Sequence, residues 1–246
     1  MRVLALDTAT RASTVALWDS TGELGILEAR DDPPPGARPN HTTRLLALVA
    51  ELLERGHAGW ERIERIAVGV GPGTFTGLRI GIATARALAR ARSIPLVGVS
   101  TLESLALGAT GIAEDRVILT VLDARRGEAF AAAWRPSATD ASRPAPLLAP
   151  QAISPPALAS ATAELAPASV AVGEGALEFR QVLERSGIWV PDERSGAHPV
   201  SARHHCRLAS LLSASDPDQI RPDYLRLPDA EIALRAQAPD DASNDH

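Results

Sequence analysis

The sequence predicts an α/β protein built of two related lobes, and three observations lead there. Short apolar runs alternate with helix-like segments from residue 2 onward, the pattern of a sheet with helices on its faces. Two of these runs, RVLALD (2–7) and RVILTVLDAR (116–125), echo each other, with Asp7 and Asp123 at their ends. The chain has 246 residues, room for two lobes of roughly 100 residues each. The division expected is 1–109, 110–228 and a disordered tail over 229–246, which is rich in Asp and Ala.

The elements follow in order. RVLALD is an apolar run of buried-strand type. STVALWD (13–19) and ELGILEAR (23–30) are strands joined by a turn at STG (20–22). DDPPPGARPN (31–40) is a loop, because three successive prolines suit neither helix nor sheet. A helix is expected from Thr42 to Arg55, stopped by Gly56. IAVGV (66–70) is a strand feeding the glycine-rich GVGPGTFTGLRIG (69–81), and a long helix continues from there. SIPLVGV (93–99) is a strand. Ser100 and Glu103 then make a capping box for a helix over 100–109. The second lobe opens at 116–125, with GEAFAAAW (127–134) as hairpin partner. Residues 136–151 read as a loop or irregular strand, 169–176 as strand and turn, and 177–185 and 201–214 as helices. RPDYLRLP (221–228) is extended.

Composition narrows the function classes. Aromatics are only 3% of the chain, so the core is built from Ala, Leu, Val and Ile. The net charge is −5 and no lysine is present, a poor surface for binding nucleic acid unaided. The single cysteine, Cys206, forbids an internal disulfide. The N-terminal residues lack the apolar core of a signal peptide, and no run approaches about 18 uncharged apolar residues. The expectation is a cytoplasmic protein with no membrane span.

The glycine-rich stretch resembles a phosphate loop but has neither the lysine of a Walker motif nor dinucleotide-type glycine spacing. Gly77, Gly81, Ala85 and Ala89 stand four apart and share one helix face. Such a row admits close approach by the chain's own sheet or by a partner helix, and spacing leaves both open. Leu45, Leu46, Val49 and Leu53, with Leu48 and Leu52, cover more of the first helix than one core requires, which favours a partner on the far side. Asp7, Thr8 and Thr10 end a strand and, with Gly71 and Gly73, could hold a residual phosphate or simply cap a turn. His204, His205 and Cys206 point about 100° apart on a helix and make no metal site. Arg79, Arg86 and Arg90 share a face open to solvent, an acidic partner or RNA phosphate.

Taken together, LALDTAT, HTTRLLALV, GVGPGTFTGLRIG, PLVGVSTLESLA, LDARRGEAF and RPDYLR closely resemble the TsaB (YeaZ) family. The resemblance runs from Met1 to about Arg226. It implies the two-lobed fold of actin, sugar kinases and Hsp70, with a duplicated mixed sheet. It also implies a non-catalytic subunit. Such a subunit pairs with the catalytic paralogue TsaD and the ATPase TsaE to place threonylcarbamoyl on the tRNA adenosine beside the anticodon. By the resemblance, the first helices of lobe one meet the partner or, in isolation, a second copy, and tRNA is met only through the complex. ATP and metal belong to the partner. The paralogue's metal-binding stretch V-N-H-x-E-G-H aligns with VSTLESL (99–105), where Thr101 and Leu105 replace the two His. Its adenosine-binding glycines correspond loosely to VGEGALEF (172–179), without the closing Asn. The chain is thus expected to carry no catalytic residue, metal or cofactor of its own. A small-molecule kinase and a glycoprotease remain the other classes, needing respectively ATP turnover by the chain alone and a metal or nucleophile set.

Overall fold

A computed structural model describes residues 1–22, 25–34, 36–136, 143–163 and 169–226. The tail expected over 229–246 lies outside the described residues, as do 137–142 of the stretch read as loop or irregular strand.

The first sheet has the order β3-β2-β1-β4-β5. Its strands are β1 (Arg2–Asp7), β2 (Ser13–Asp19), β3 (Ile26–Asp31), β4 (Arg65–Gly71) and β5 (Leu96–Ser100). β1 pairs antiparallel with β2 and parallel with β4, and β4 runs parallel to β5. β1 is apolar from Val3 to Leu6 because both its faces are covered. Leu4 and Leu6 join the cluster made with α1 (His41–Arg55) and α2 (Phe75–Arg92). Val3 and Ala5 face the cluster made with α7 (Ala202–Leu211).

The second sheet has the order β8-β7-β6-β9, from β6 (Val117–Arg125), β7 (Glu128–Arg135), β8 (Ala145–Ile153) and β9 (Ser169–Val172). β6 again pairs antiparallel with the next strand and parallel with the strand after the crossover. The echo between the lobes reaches the hydrogen bonds. Asp7 Oδ1 accepts from the Ala9 N–H at 2.8 Å, and Asp123 Oδ1 accepts from the Arg125 N–H at 2.7 Å. Each carboxylate closes the same kind of turn two residues on.

α3 (Thr101–Ala113) starts at the expected cap, with the Ser100 hydroxyl accepting from the Glu103 N–H at 3.4 Å. It packs Leu102, Leu105, Ala106 and Ala109 on the second sheet and Leu107 on the first-sheet side. A division at 109/110 therefore falls inside one helix, and that helix packs on the second sheet. α4 (Pro155–Ala163), α5 (Glu174–Glu178) and α6 (Arg180–Arg185) cover the far face of the second sheet. The reading of 177–185 as one helix is replaced by two, meeting at Phe179. α4 carries no sequence signal, because its Ala, Ser and Pro residues give no apolar stripe. The layers are thus α1–α2, sheet one, α3–α7, sheet two, α4–α6.

Candidate functional site: a closed centre between the lobes

The end of β1 and the first turn of α2 meet through backbone. Thr8 Oγ1 donates to the Gly77 carbonyl at 2.7 Å, and the Thr74 N–H donates to the Ala9 carbonyl at 2.7 Å. Side chains would block both contacts. A Cβ on Gly73 would run into the Ala9 carbonyl, one on Gly77 into the Thr8 carbonyl, and one on Gly69 into the Asp7 carboxylate. The glycines serve this close approach. Asp7, Thr8, Thr10, Gly71 and Gly73 do come together, but as a residual phosphate site they are corrected. Thr8 and Asp7 have their polar atoms taken up by the protein, and Asp223 O closes over Gly71.

The partner-facing row is also corrected. Gly77, Gly81, Ala85 and Ala89 are all buried against the chain's own sheet, with Val68 of β4 3.9 Å from where a Gly81 Cβ would stand. Leu45 and Val49 are buried in the same core, while Leu53 is half-buried against it. Of the leucines chosen on the first helix, Leu46 alone is exposed, at 51%. The surface that remains is the other side of the same helices: Leu46 and Ala50 on α1, and Thr76, Ala83 and Ala87 on α2. An open groove of about 450 Å³ lies beside it, lined by Leu46, Val49, Ala50, Leu53, His57 and Trp60.

Arg79, Arg86 and Arg90 of α2 share a face on which Arg79 and Arg90 are exposed, yet all three are partnered by the chain itself. Arg86 donates to the Pro217, Asp218 and Ile220 carbonyls, Arg90 pairs with Asp218, and Arg79 donates to the Tyr224 hydroxyl. The chain's own C-terminal segment lies across them.

Spacing missed the polar centre. His205 Nδ1 lies 2.8 Å from Ser104 Oγ, and Nε2 lies 3.1 Å from Asp7 Oδ2, outside good hydrogen-bond geometry. Thr101 Oγ1 donates to the same carboxylate oxygen at 3.3 Å. Residues 7, 101, 104 and 205 come from three elements, so no local pattern could join them. Burial pushes the Asp7 carboxyl up, but His205, the Ala9 N–H and Thr101 together hold it below its ordinary value. The order Ser–His–Asp resembles a hydrolytic triad, yet Ser104, His205 and Asp7 are all fully buried. The Ser104 hydroxyl is closed off from solvent, so the three residues form no accessible nucleophile set. His204 instead packs on Gly108, where burial lowers its ring to about 4, and Cys206 points into the core near the Val3 and Ala16 carbonyls. The three neighbours diverge, and among the described residues no group of three His, Cys, Asp or Glu could hold a metal.

Thr101 and Leu105, at the positions aligned with the paralogue's His pair, are fully buried, Thr101 on Asp7 and Leu105 in the second core. Glu103 is buried and ion-paired with Arg143. In the glycine stretch of the second lobe, Gly173 has φ +109° and a Cβ there would strike the Val121 carbonyl. His198 lies against its backbone at 3.3 Å.

The two mixed sheets with their flanking helices define the class: a two-lobed α/β protein. Residues 33–146 match the family model described as TsaD: tRNA N6-adenosine threonylcarbamoyltransferase. The chain is 40% identical over 135 residues to the tRNA threonylcarbamoyladenosine biosynthesis protein TsaB of Escherichia coli, covering 55% of each. To the protein of that name in Haemophilus influenzae it is 32% identical, over 53% of this chain and 52% of that one. It spans about half the length of the curated relatives it matches. A solved Pseudomonas aeruginosa structure, an uncharacterized protein with similarity to peptidase YEAZ, superposes with TM-score 0.75 at 27% identity, over 92% of this chain and 99% of that one. Over these stretches the chain is similar to the TsaB/YeaZ proteins.

Proposed function

We propose that this chain is a non-catalytic subunit of the assembly that transfers threonylcarbamoyl to the tRNA adenosine beside the anticodon. The observation that carries the reading is the closed centre. Within the stretch that matches a TsaD model, Thr101 and Leu105 are buried where the resemblance expects ligands, and outside it the buried Asp7 carboxylate lies against His205 at 3.1 Å. The chain has the frame of a transferase without reachable chemistry. Its partner in this reading is a TsaD-like paralogue, which carries the ATP and metal. The matched segment 33–146 includes α1, α2 and α3, so such a paralogue presents like helices to like. A TsaE-like ATPase joins the pair, and tRNA is met through the complex, consistent with a net charge of −5. Alone, the chain uses the same face for a second copy. No helix among the described residues is long and apolar enough to cross a membrane, and the cytoplasm is the compartment we propose.

The contact is assigned to the outer face of α1 and α2, not to the buried glycine row. Leu46→Asp is expected to leave melting within a degree or two, since an exposed substitution usually changes stability by under about 0.5 kcal/mol. It should weaken association with the paralogue about thirtyfold, the equivalent of about 2 kcal/mol for a central apolar anchor. Gel filtration and calorimetry with the paralogue measure this, and unchanged affinity removes the face from the interface. The function itself is tested by tRNA modification with the adenylate donor. Turnover is expected only when chain and paralogue are combined, and turnover by the chain alone would overturn the reading.

A further inference from the structure

The C-terminal segment has a firm half and a light half. Up to Ile220 it is anchored: the Ser215 N–H donates to Leu96 O at 2.9 Å, Arg86 holds three carbonyls, and Ile220 is buried in the first core. Residues 221–226 are half or fully exposed and form neither helix nor strand. They touch both lobes. The Asp223 N–H donates to Val70 O at 2.7 Å at the glycine turn. Tyr224 stacks on Phe75 of α2 with centroids 5.1 Å apart, and its hydroxyl accepts from Arg79 at 2.9 Å. Arg79 in turn lies 3.6 Å over the Phe75 ring. One residue on, Leu225 packs on the second core, and Arg226 donates to the Ala124 carbonyl at 2.8 Å beside the β6–β7 turn.

We infer that residues 221–226 are a latch, hinged at Ile220, that fastens the first turn of α2 in lobe one to the β6–β7 turn in lobe two. A segment anchored deeply at one end and held by exposed contacts at the other opens locally before the fold does. Both seats are at turns: the Gly71–Thr74 turn that feeds α2, and the turn whose Arg125, Arg126 and Gly127 all have positive φ. Release of Tyr224 frees both at once, so the angle between the lobes and the position of α2 are coupled. The inference rests on contacts within this chain and not on the proposed partner.

The test uses the full chain alone. Hydrogen exchange by mass spectrometry follows the peptides over 69–76, 123–128 and 221–226 in wild type, Tyr224→Ala and Tyr224→Phe. Pulsed electron resonance between labels at Glu54→Cys and Glu178→Cys reads the lobe separation. Both sites are exposed, and burial keeps Cys206 out of the labelling. Tyr224→Ala should speed exchange at least tenfold in all three peptides and broaden the distance distribution, with melting nearly unchanged. Tyr224→Phe keeps the stack and loses the Arg79 bond, so it should fall between. Faster exchange confined to 221–226 with an unaltered distance would overturn the latch. So would uniform acceleration across the chain with a lowered melt, which would make the segment part of the core.

Discussion

Gly81→Arg is expected to unfold the first lobe, not to detach a partner from a folded chain. Gly81 faces Thr8 and Val68, and a Cβ there already meets Thr8 Oγ1. A guanidinium in that position has neither water nor a carboxylate beside it, and a buried charge without a partner carries a large desolvation cost. The loss should be on the order of 3–5 kcal/mol or more, a large part of a typical domain's 5–15 kcal/mol. Two milder variants give the series its discriminating power. In Gly77→Ala the added methyl meets the Thr8 carbonyl, which is backbone and cannot swing aside. That overpacking should cost about 1–3 kcal/mol. In Gly81→Ala the first obstacle is a hydroxyl that can rotate, at the loss of its bond to Gly77 O, so the cost should be smaller. Urea denaturation of the three isolated variants orders them. A Gly81→Arg chain that melts like wild type would mean that the row faces outward after all.

That row shows what the sequence can and cannot express. A step of four residues says that Gly77, Gly81, Ala85 and Ala89 share a face, but it carries no sign for which neighbour the face meets. The neighbour is Thr8, 69 positions from Gly77, and only the fold brings it there. The strands were legible because their signals are local. β1 and β6 are continuous apolar runs, and their terminal Asp residues each close a turn within two positions. The arginines of α2 were legible as a face, while their true occupants lie between Pro217 and Tyr224, far downstream. α1 reads as apolar nearly all round, and that surplus survives as Leu46 and the groove, whereas Leu45 and Val49 belong to the core. The Asp7–His205 pair had no readable signal at all, since adjacent His204, His205 and Cys206 invite a metal that their diverging directions forbid.

His205→Leu is expected to destabilise the chain by about 3–5 kcal/mol, because it leaves the Asp7 carboxylate fully buried without its imidazole neighbour. Asp7→Asn should cost less, since it removes the buried charge and keeps an acceptor for the Ala9 N–H. If the two groups act as a pair, the double variant will be more stable than the sum of the single losses implies, by about 0.5–3 kcal/mol. The pH dependence has a definite sign. His205, the Ala9 N–H and Thr101 hold the Asp7 carboxyl below its ordinary 3.8 in the folded chain, against the opposing effect of burial. Its contribution is therefore present above that value and lost as pH falls through the lowered folded value. Asp19, held low first by its Thr21 hydrogen bonds and by Arg2, adds a second acid-sensitive group of the same sign. Wild type and Asp7→Asn share that second group, so the difference between their acid unfolding curves isolates Asp7. The wild-type curve should fall more steeply with decreasing pH below about 4, and the two should converge in strong acid. Parallel curves, or a His205→Leu variant within about 1 kcal/mol of wild type, would show that the buried contact does not hold β1 to α7.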